Sequence, residues 1–192
     1  NKFDVAILDD GFQDFSVKKD LAIVCFNEKQ WIGNGLIIPS GPLRESLSAL
    51  NRASCVVING EKNIAIEKKI LENNKSIKIF YAKYKSTNIE NFKNKKIICF
   101  AGIGNPTNFF NLLIREGIKL LEQISFPDHY NYSNDELKKL FEKASKNNAI
   151  LLTTEKDYLR IDKNYRKNIN FLKIETIIEN LDQFKEEVKR VI

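Results

Sequence analysis

Two neighbouring carboxylates follow an apolar run near the start of the chain. Residues 5–8 are continuously apolar, and Asp9, Asp10 and Gly11 come directly after them. The run predicts a buried strand, and acids at the carboxyl end of a strand lie in the crevice where open α/β sheets bind ligands. Such acids suit a hydrated magnesium ion beside nucleotide phosphates, as in a Walker B strand. A strand followed by Asp-Gly is equally typical of an ordinary turn.

A long segment without regular periodicity follows at residues 31–46, WIGNGLIIPSGPLRES. It is rich in glycine and proline but too apolar for a disordered linker, and long loops in compact domains are usually functional. One interpretation is a wall that faces the substrate, with Arg44 binding an anion and Glu45 lying near the metal. The other is a packed surface loop.

Three further segments could carry chemistry. The glycine pair Gly102 and Gly104 predicts a tight turn between a strand and a helix. Such a turn can bind phosphate, but this one lacks both the later glycine of the dinucleotide fingerprint and the Lys-Ser/Thr of a P-loop, so phosphate binding stays an alternative. His129, the only histidine, stands beside Asp128, which could tune its protonation, although a single histidine is often incidental. In residues 151–160, LLTTEKDYLR, a strand end followed by charged and polar groups indicates the carboxyl edge of the sheet, and the alternative is a helix start that Thr154 caps.

The elements that would position these residues alternate between strands and helices. Continuous apolar runs predict strands near residues 21–26, 55–58, 77–81, 97–101, 149–152 and 170–174. Helical spacing and capping signals predict helices over residues 107–116, after Ser133, and over 179–189. We therefore expect an α/β fold with a mostly parallel sheet and flanking helices.

Composition narrows the class of protein. The 192 residues are 43% hydrophobic, which excludes a disordered tail, and their net charge is +6. The basic residues are mostly lysines spread along the chain, so we predict no nucleic-acid partner, while an anionic membrane surface stays possible. No apolar run reaches the roughly 18 to 20 residues of a membrane-spanning helix. Three widely spaced cysteines predict neither a disulfide framework nor a zinc site.

The order and spacing of the segments resemble those of tetraacyldisaccharide 4'-kinase, an enzyme of lipid A biosynthesis in Gram-negative bacteria. The motifs are DDGFQ, GNGxxxPxGPLRE, FAGIGNPxxFF, FPDHxxY and LLTTEKDxxR, and they extend over residues 3 to about 172. The resemblance implies transfer of the ATP γ-phosphate to the 4'-hydroxyl of the acylated disaccharide 1-phosphate, giving lipid IVA. It also implies a P-loop-kinase-like fold, the cofactors ATP and Mg²⁺, and peripheral attachment to the cytoplasmic face of the inner membrane.

The same resemblance suggests roles for individual residues. Asp9 and Asp10 match the Walker B acids, Gln13 matches a neighbouring polar residue near magnesium, and Glu45 matches an acid close to the metal. His129 matches a histidine that pairs with an Asp base from the N-terminal lobe. The role of residues 153–160 is not assigned.

The resemblance also leads us to expect the C-terminal portion of a longer kinase. Residues 1–95 would be the end of the nucleotide-binding and metal-binding region with connecting strands, and residues 96–192 a C-terminal α/β lobe. The chain contains neither methionine nor a P-loop motif, so we expect a missing N-terminal lobe and no activity of this part alone. Asp14 also stands where the family usually has histidine. The alternatives are a non-catalytic α/β binding module or another P-loop phosphotransferase.

Overall fold

The computed structural model describes residues 3–191 and divides them into two units. The first unit contains the residues up to Tyr84 together with those from Thr176 onward, and the second contains Lys85–Glu175. The expected boundary, between residues 95 and 96, differs from this division. The largest difference is that the last part of the chain returns to the first unit, which the order of motifs does not indicate.

Eight strands and five helices lie within residues 3–191. In chain order they are β1 Ile23–Asn27, β2 Cys55–Asn59, α1 Ile64–Asn73, β3 Lys78–Ser86, β4 Ile97–Ala101, α2 Pro106–Arg115, β5 Leu120–Ser125, α3 Asn134–Lys146, β6 Ile150–Thr154, α4 Glu155–Arg160, β7 Ile169–Leu172, β8 Ile174–Ile178 and α5 Leu181–Lys189. Short 3₁₀ turns occupy Leu47–Arg52, Ile89–Phe92 and Arg166–Asn168.

The first sheet has the strand order β1-β2-β3-β8, and β1, β2 and β3 run parallel. Its central strand, β2, is buried along four of its five residues. Apolar side chains pack on both faces of this sheet: Ile66 and Ile70 of α1 belong to one cluster, and Phe184 of α5 packs against the other. A parallel sheet covered on both faces accounts for the continuous apolar sequence of β2.

The second sheet has the order β5-β4-β6-β7, and all of its strands are parallel. Every residue of β4 is buried. Phe109, Phe110 and Leu113 of α2 pack on one face, while Leu137 and Leu140 of α3 pack on the other. The carboxyl ends of β4, β5 and β6 therefore point toward the same edge, where three of the motifs begin.

The α/β class with mostly parallel sheets and flanking helices is confirmed, and most predicted elements form within a few residues of their expected bounds. The predicted strand at residues 5–8 is wrong. No strand of residues 3–191 pairs with this segment, and its side chains are exposed, Ile7 at 91%. An apolar run becomes a strand only when a neighbouring strand takes its backbone hydrogen bonds.

Three elements were missed: β5, α1 and β8, of which only the first residue, Ile174, lies in the strand predicted at residues 170–174. The strand β5 alternates between half-buried and exposed residues, so it lacks a continuous apolar run. The helix α1 buries only Ile66 and Ile70 of its ten residues, and its start is marked by the side chain of Asn63, which accepts hydrogen bonds from two backbone amides.

No helix within residues 3–191 is both long enough and apolar enough to cross a membrane.

Candidate functional site

The two acids of the DDGFQ motif lie on an exposed turn of the first unit. Asp10 adopts a left-handed backbone conformation with φ 55°. Its carboxylate accepts from the guanidinium of Arg44, with Nη1 2.9 Å from Oδ1 and 2.8 Å from Oδ2. Both side chains are more than half exposed, so this ion pair orients Arg44 but contributes little to stability, about 0–1 kcal/mol. Asp9 is also exposed.

A second arginine connects Glu45 with the same segment. Arg52 donates to the carboxylate of Glu45 at 2.5 Å, and its guanidinium lies 5.0 Å from the ring centres of both Phe12 and Phe15. Such cation–π contacts favour one position of the arginine. The motifs DDGFQ and GPLRE are thus brought together within the first unit through two arginine contacts.

The residues that follow the acids contact solvent and each other. Gln13 is half-buried. Asp14 accepts from the hydroxyl of Ser16 at 2.6 Å and from its amide at 2.9 Å. These two hydrogen bonds lower the pKa of Asp14, so its carboxylate is engaged locally.

The loop at residues 31–46 is ordered by its own backbone. Ile38 donates to the carbonyl of Leu43 at 2.8 Å, and Leu43 donates to the carbonyl of Leu36 at 3.1 Å. Gly41 lies at the close approach, since a Cβ there would lie 2.3 Å from the Leu36 carbonyl oxygen. Leu36, Ile37 and Ile38 are nevertheless exposed, so the loop presents apolar side chains to its surroundings.

The acidic side chains of the first unit could hold a magnesium ion only together with phosphate oxygens and water. Within residues 3–191 no group of three or more histidine, cysteine or acidic side chains is close enough to hold a metal ion. Magnesium, however, is commonly held by one or two carboxylates together with phosphate oxygens and water. Asp9 and Asp10 have the right oxygen chemistry and exposure for that mode. Asp10 is paired with Arg44, however, and Glu45 is paired with Arg52.

In the second unit, three motifs meet at the carboxyl edge of the sheet. Gly102 directly follows β4, and its carbonyl accepts from the amide of His129 at 3.1 Å. The chain passes so close here that a Cβ on Gly102 would lie 2.9 Å from Tyr130 Cβ and 3.0 Å from the Pro127 carbonyl oxygen. The glycine of FAGIG is therefore required for the FPDHxxY segment to pack against β4.

A buried carboxylate fixes the same glycine from the other side. Asp157 of α4 has no exposed surface, and its Oδ2 accepts from the Gly102 amide at 3.1 Å and from the Thr154 hydroxyl at 2.6 Å. Thr154 in turn accepts from the Asp157 amide, which confirms its predicted role as the cap of α4. Because the Gly102 amide is already bound, this amide is not open to a phosphate.

Arg160 completes this arrangement. Its Nη1 donates to the Gly102 carbonyl at 3.0 Å and lies 3.4 Å from Asp157 Oδ1, while its Nη2 lies 3.0 Å from Nδ1 of His129. The His129 side chain is 79% exposed, and its backbone is left-handed with φ 58°. The LLTTEKDxxR motif, whose role the sequence left unassigned, thus supports the histidine.

Aromatic side chains pack beneath these polar contacts. Phe126, Tyr130 and Tyr132 lie with ring centres 4.9 to 5.4 Å apart, and Tyr132 packs edge-on against Phe100. Burial raises the pKa of Tyr132, and the neighbouring Asp157 carboxylate adds to that shift. Among the described residues its hydroxyl is buried without a hydrogen-bonding partner.

The structure therefore separates the expected site residues into two groups. The first unit contains Asp9, Asp10, Gln13, Arg44 and Glu45, and the second contains His129. The sequence did not identify Arg52, Asp157 or Arg160 as supporting residues. The only available indication was that charged residues at the carboxyl end of a strand in an open α/β fold lie near the ligand-binding edge.

Comparison with protein families gives a match over residues 1–192 to the family described as LpxK, tetraacyldisaccharide-1-P 4'-kinase. A tetraacyldisaccharide 4'-kinase from Pelagibacter ubique is 44% identical over 174 residues, which cover 89% of this chain and 55% of the relative. A tetraacyldisaccharide 4'-kinase from Rickettsia akari is 35% identical over 188 residues, covering 97% and 57%.

A solved structure shares the fold. The crystal structure of LpxK from Aquifex aeolicus in complex with ATP superposes with a TM-score of 0.68 at 26% identity, and the match covers 94% of this chain and 55% of that one. The chain thus spans about half the length of the curated relatives it matches.

Proposed function

This chain belongs to the tetraacyldisaccharide 4'-kinase family, and on that premise we propose that it forms part of an enzyme that phosphorylates the 4'-hydroxyl of an acylated disaccharide 1-phosphate, giving lipid IVA. The observation that carries the proposal is the family match over residues 1–192, which includes every motif described above. The phosphoryl donor is ATP, the ligand of the Aquifex aeolicus relative.

The reaction is a phosphoryl transfer between two oxygens. The 4'-oxygen forms a bond to the γ-phosphorus, the bond from that phosphorus to the bridging β,γ-oxygen breaks, and ADP leaves with the electron pair. The hydroxyl proton must pass to a basic group as the new bond forms. Positioning and charge stabilisation provide most of the catalysis in such transfers.

Asp9 and Asp10 are the residues that would hold Mg²⁺. When bound, the ion would neutralise the negative charge that develops on the phosphate oxygens. The exposure of both carboxylates on one turn supports this role, and Gln13 lies on the same segment. Glu45 follows Arg44 directly and would act near the ion, provided that Arg52 releases it or shares it.

Arg44 and His129 would act on the substrate. Arg44 is a guanidinium on an exposed loop, and a guanidinium binds phosphate oxygens in a bidentate manner. His129 would pair with an Asp carboxylate from outside this chain, and that carboxylate would take the hydroxyl proton. Its exposure and its support by Arg160 favour a role that requires contact with another group.

The acylated substrate suggests where the enzyme works. Leu36, Ile37 and Ile38 form an exposed apolar surface on the loop that also carries Arg44, and the chain has a net charge of +6. Apolar side chains beside basic charge favour an anionic lipid surface. These features support our proposal, which the family resemblance implies, that the protein attaches peripherally to the cytoplasmic face of the inner membrane.

Phosphate transfer from labelled ATP to tetraacyldisaccharide 1-phosphate tests the proposal. We expect transfer by the complete gene product and none by residues 1–192 alone, because these residues contain no P-loop lysine. In the complete protein, Asp9→Asn and His129→Ala should each lower kcat by about 100-fold or more, while Asp135→Asn, an exposed acid of α3, should leave it unchanged.

Each alternative has its own outcome. Binding of ATP and lipid without transfer by the complete protein would favour a non-catalytic α/β binding module. Transfer to a different acceptor would favour another phosphotransferase, and unchanged turnover of His129→Ala would remove this histidine from the mechanism.

A further inference from the structure

The guanidinium of Arg160 contacts the imidazole of His129 through one particular ring nitrogen. Nη2 of Arg160 lies 3.0 Å from Nδ1, which is within hydrogen-bond distance. A guanidinium has only N–H donors and does not lose its proton in proteins. Nδ1 must therefore be the acceptor, and the proton of the neutral ring must be on Nε2.

The arginine is itself held in place. Nη1 donates to the carbonyl of Gly102 at 3.0 Å, and the wholly buried carboxylate of Asp157 lies 3.4 Å from the same nitrogen. Arg160 is only 23% exposed. A side chain with two further contacts presents Nη2 to the histidine in a fixed direction, so the contact does not depend on a freely moving surface arginine.

The Gly102 carbonyl, which accepts from Arg160, also accepts from the backbone amide of His129. This amide donates to the Gly102 carbonyl at 3.1 Å and to Asp128 Oδ1 at 2.9 Å, and the backbone of His129 is left-handed with φ 58°. The other oxygen of Asp128 is 3.9 Å from Nε2, too far for a direct hydrogen bond but on the side where it favours a proton at Nε2. No described contact competes for the proton at Nδ1.

We propose that Arg160 is a positioning residue, which orients the ring of His129 and selects the tautomer that carries its proton on Nε2. The outward polar atom of His129 is then a hydrogen-bond donor, while the only lone pair of the neutral ring is bound to Arg160. The orientation and tautomer of the ring do not depend on the proposed function. The use of the Nε2 donor does rest on it, since a fixed ring can present that donor to the reacting groups.

The single histidine permits a direct test in residues 1–192 without ATP or lipid. Nitrogen NMR of the protein labelled at histidine, at about pH 8.5 where an imidazole is neutral, should show the proton on Nε2 and a hydrogen-bonded Nδ1. Carbethoxylation by diethyl pyrocarbonate, which requires a free lone pair, should be about tenfold slower than for N-acetylhistidine, although His129 is 79% exposed.

Removal of the arginine should reverse this protection. Arg160→Leu should raise the carbethoxylation rate by about tenfold and free the ring to move in NMR relaxation, and Arg160→Lys should restore part of the protection. Arg115→Leu, which removes an exposed arginine of the same unit, should change neither measurement. A merely structural role would not affect the lone pair of a histidine that is already exposed.

Two results would overturn the inference: a proton on Nδ1 in the unmodified chain, or a carbethoxylation rate that Arg160→Leu leaves unchanged. Neither measurement involves phosphate transfer. Failure of the kinase assay with a protected Nδ1 would therefore refute the proposed function alone, and transfer with an unprotected Nδ1 would refute the role of Arg160 alone.

Discussion

The two groups of motif residues are supported in opposite ways. In the first unit, Asp10 and Arg44 form one ion pair between two side chains that are each more than half exposed. In the second unit, the exposed His129 is connected through Arg160 to Asp157, which has no exposed surface. One group consists of surface charges, and the other ends in a buried network of hydrogen bonds.

This difference indicates what each group can do before any ligand binds. Exposed carboxylates on a turn can exchange a bound arginine for an ion or a phosphate at little cost, because water already solvates them. A histidine connected to a buried carboxylate keeps its orientation, because breaking that connection leaves an uncompensated charge inside the protein. The first group is therefore adaptable, whereas the second is organised in advance.

Removing the buried carboxylate should have the largest effect on this contrast. Asp157→Ala leaves the Gly102 amide without its acceptor and removes the carboxylate beside the Arg160 guanidinium, and we expect a loss of about 3 kcal/mol in the free energy of unfolding of the second unit. Urea denaturation followed by circular dichroism measures the total loss. Fluorescence of Trp31, the only tryptophan, reports the first unit separately and should change little.

A matched control separates burial from charge. Asp135→Ala removes an acid of the same unit whose side chain is 86% exposed, and it should cost less than about 1 kcal/mol. Equal losses for Asp135→Ala and Asp157→Ala would show that the network around Gly102 contributes nothing special.

A methyl group on Gly102 should have the next largest effect. Its Cβ would lie 2.9 Å from Tyr130 Cβ and 3.0 Å from the Pro127 carbonyl oxygen, so the segment with His129 must move away from β4. We expect Gly102→Ala to lower the free energy of unfolding by about 2 kcal/mol. In Gly104→Ala the nearest atom is a side-chain oxygen of Asp128 at 3.3 Å, so its loss should be clearly smaller. A loss for Gly102→Ala that is smaller than the loss for Gly104→Ala would contradict the close packing around Gly102.

Local patterns in the sequence were sufficient for much of the fold. The continuous apolar residues of β2 and β4 predicted buried parallel strands, and the Ser133 capping box predicted the start of α3, which the structure confirms. The segment at residues 5–8 has the same pattern but forms no strand, because a strand also needs a neighbour. Pairing is a long-range property that an apolar run does not encode.

The contact between His129 and Arg160 could not be predicted from local sequence patterns either. Arg160 is 31 positions away along the chain, and only the parallel arrangement of β4, β5 and β6 brings both to one edge. The sequence could indicate that each motif follows a strand, but not that Gly102 contacts Asp157, Arg160 and His129 at once. The roles of Asp9, Asp10 and Glu45 in binding an ion remain predictions.

The smallest effect should come from the exposed pair. Asp10→Asn removes the charge that binds Arg44 but keeps a residue that tolerates the left-handed conformation at φ 55°. We expect the free energy of unfolding of the first unit, measured through Trp31 fluorescence, to fall by less than about 1 kcal/mol. The difference should shrink further in about 1 M salt, since salt screens exposed charges. A loss as large as that of Asp157→Ala would mean that the acidic turn is also organised in advance, and the contrast between the two units would not hold.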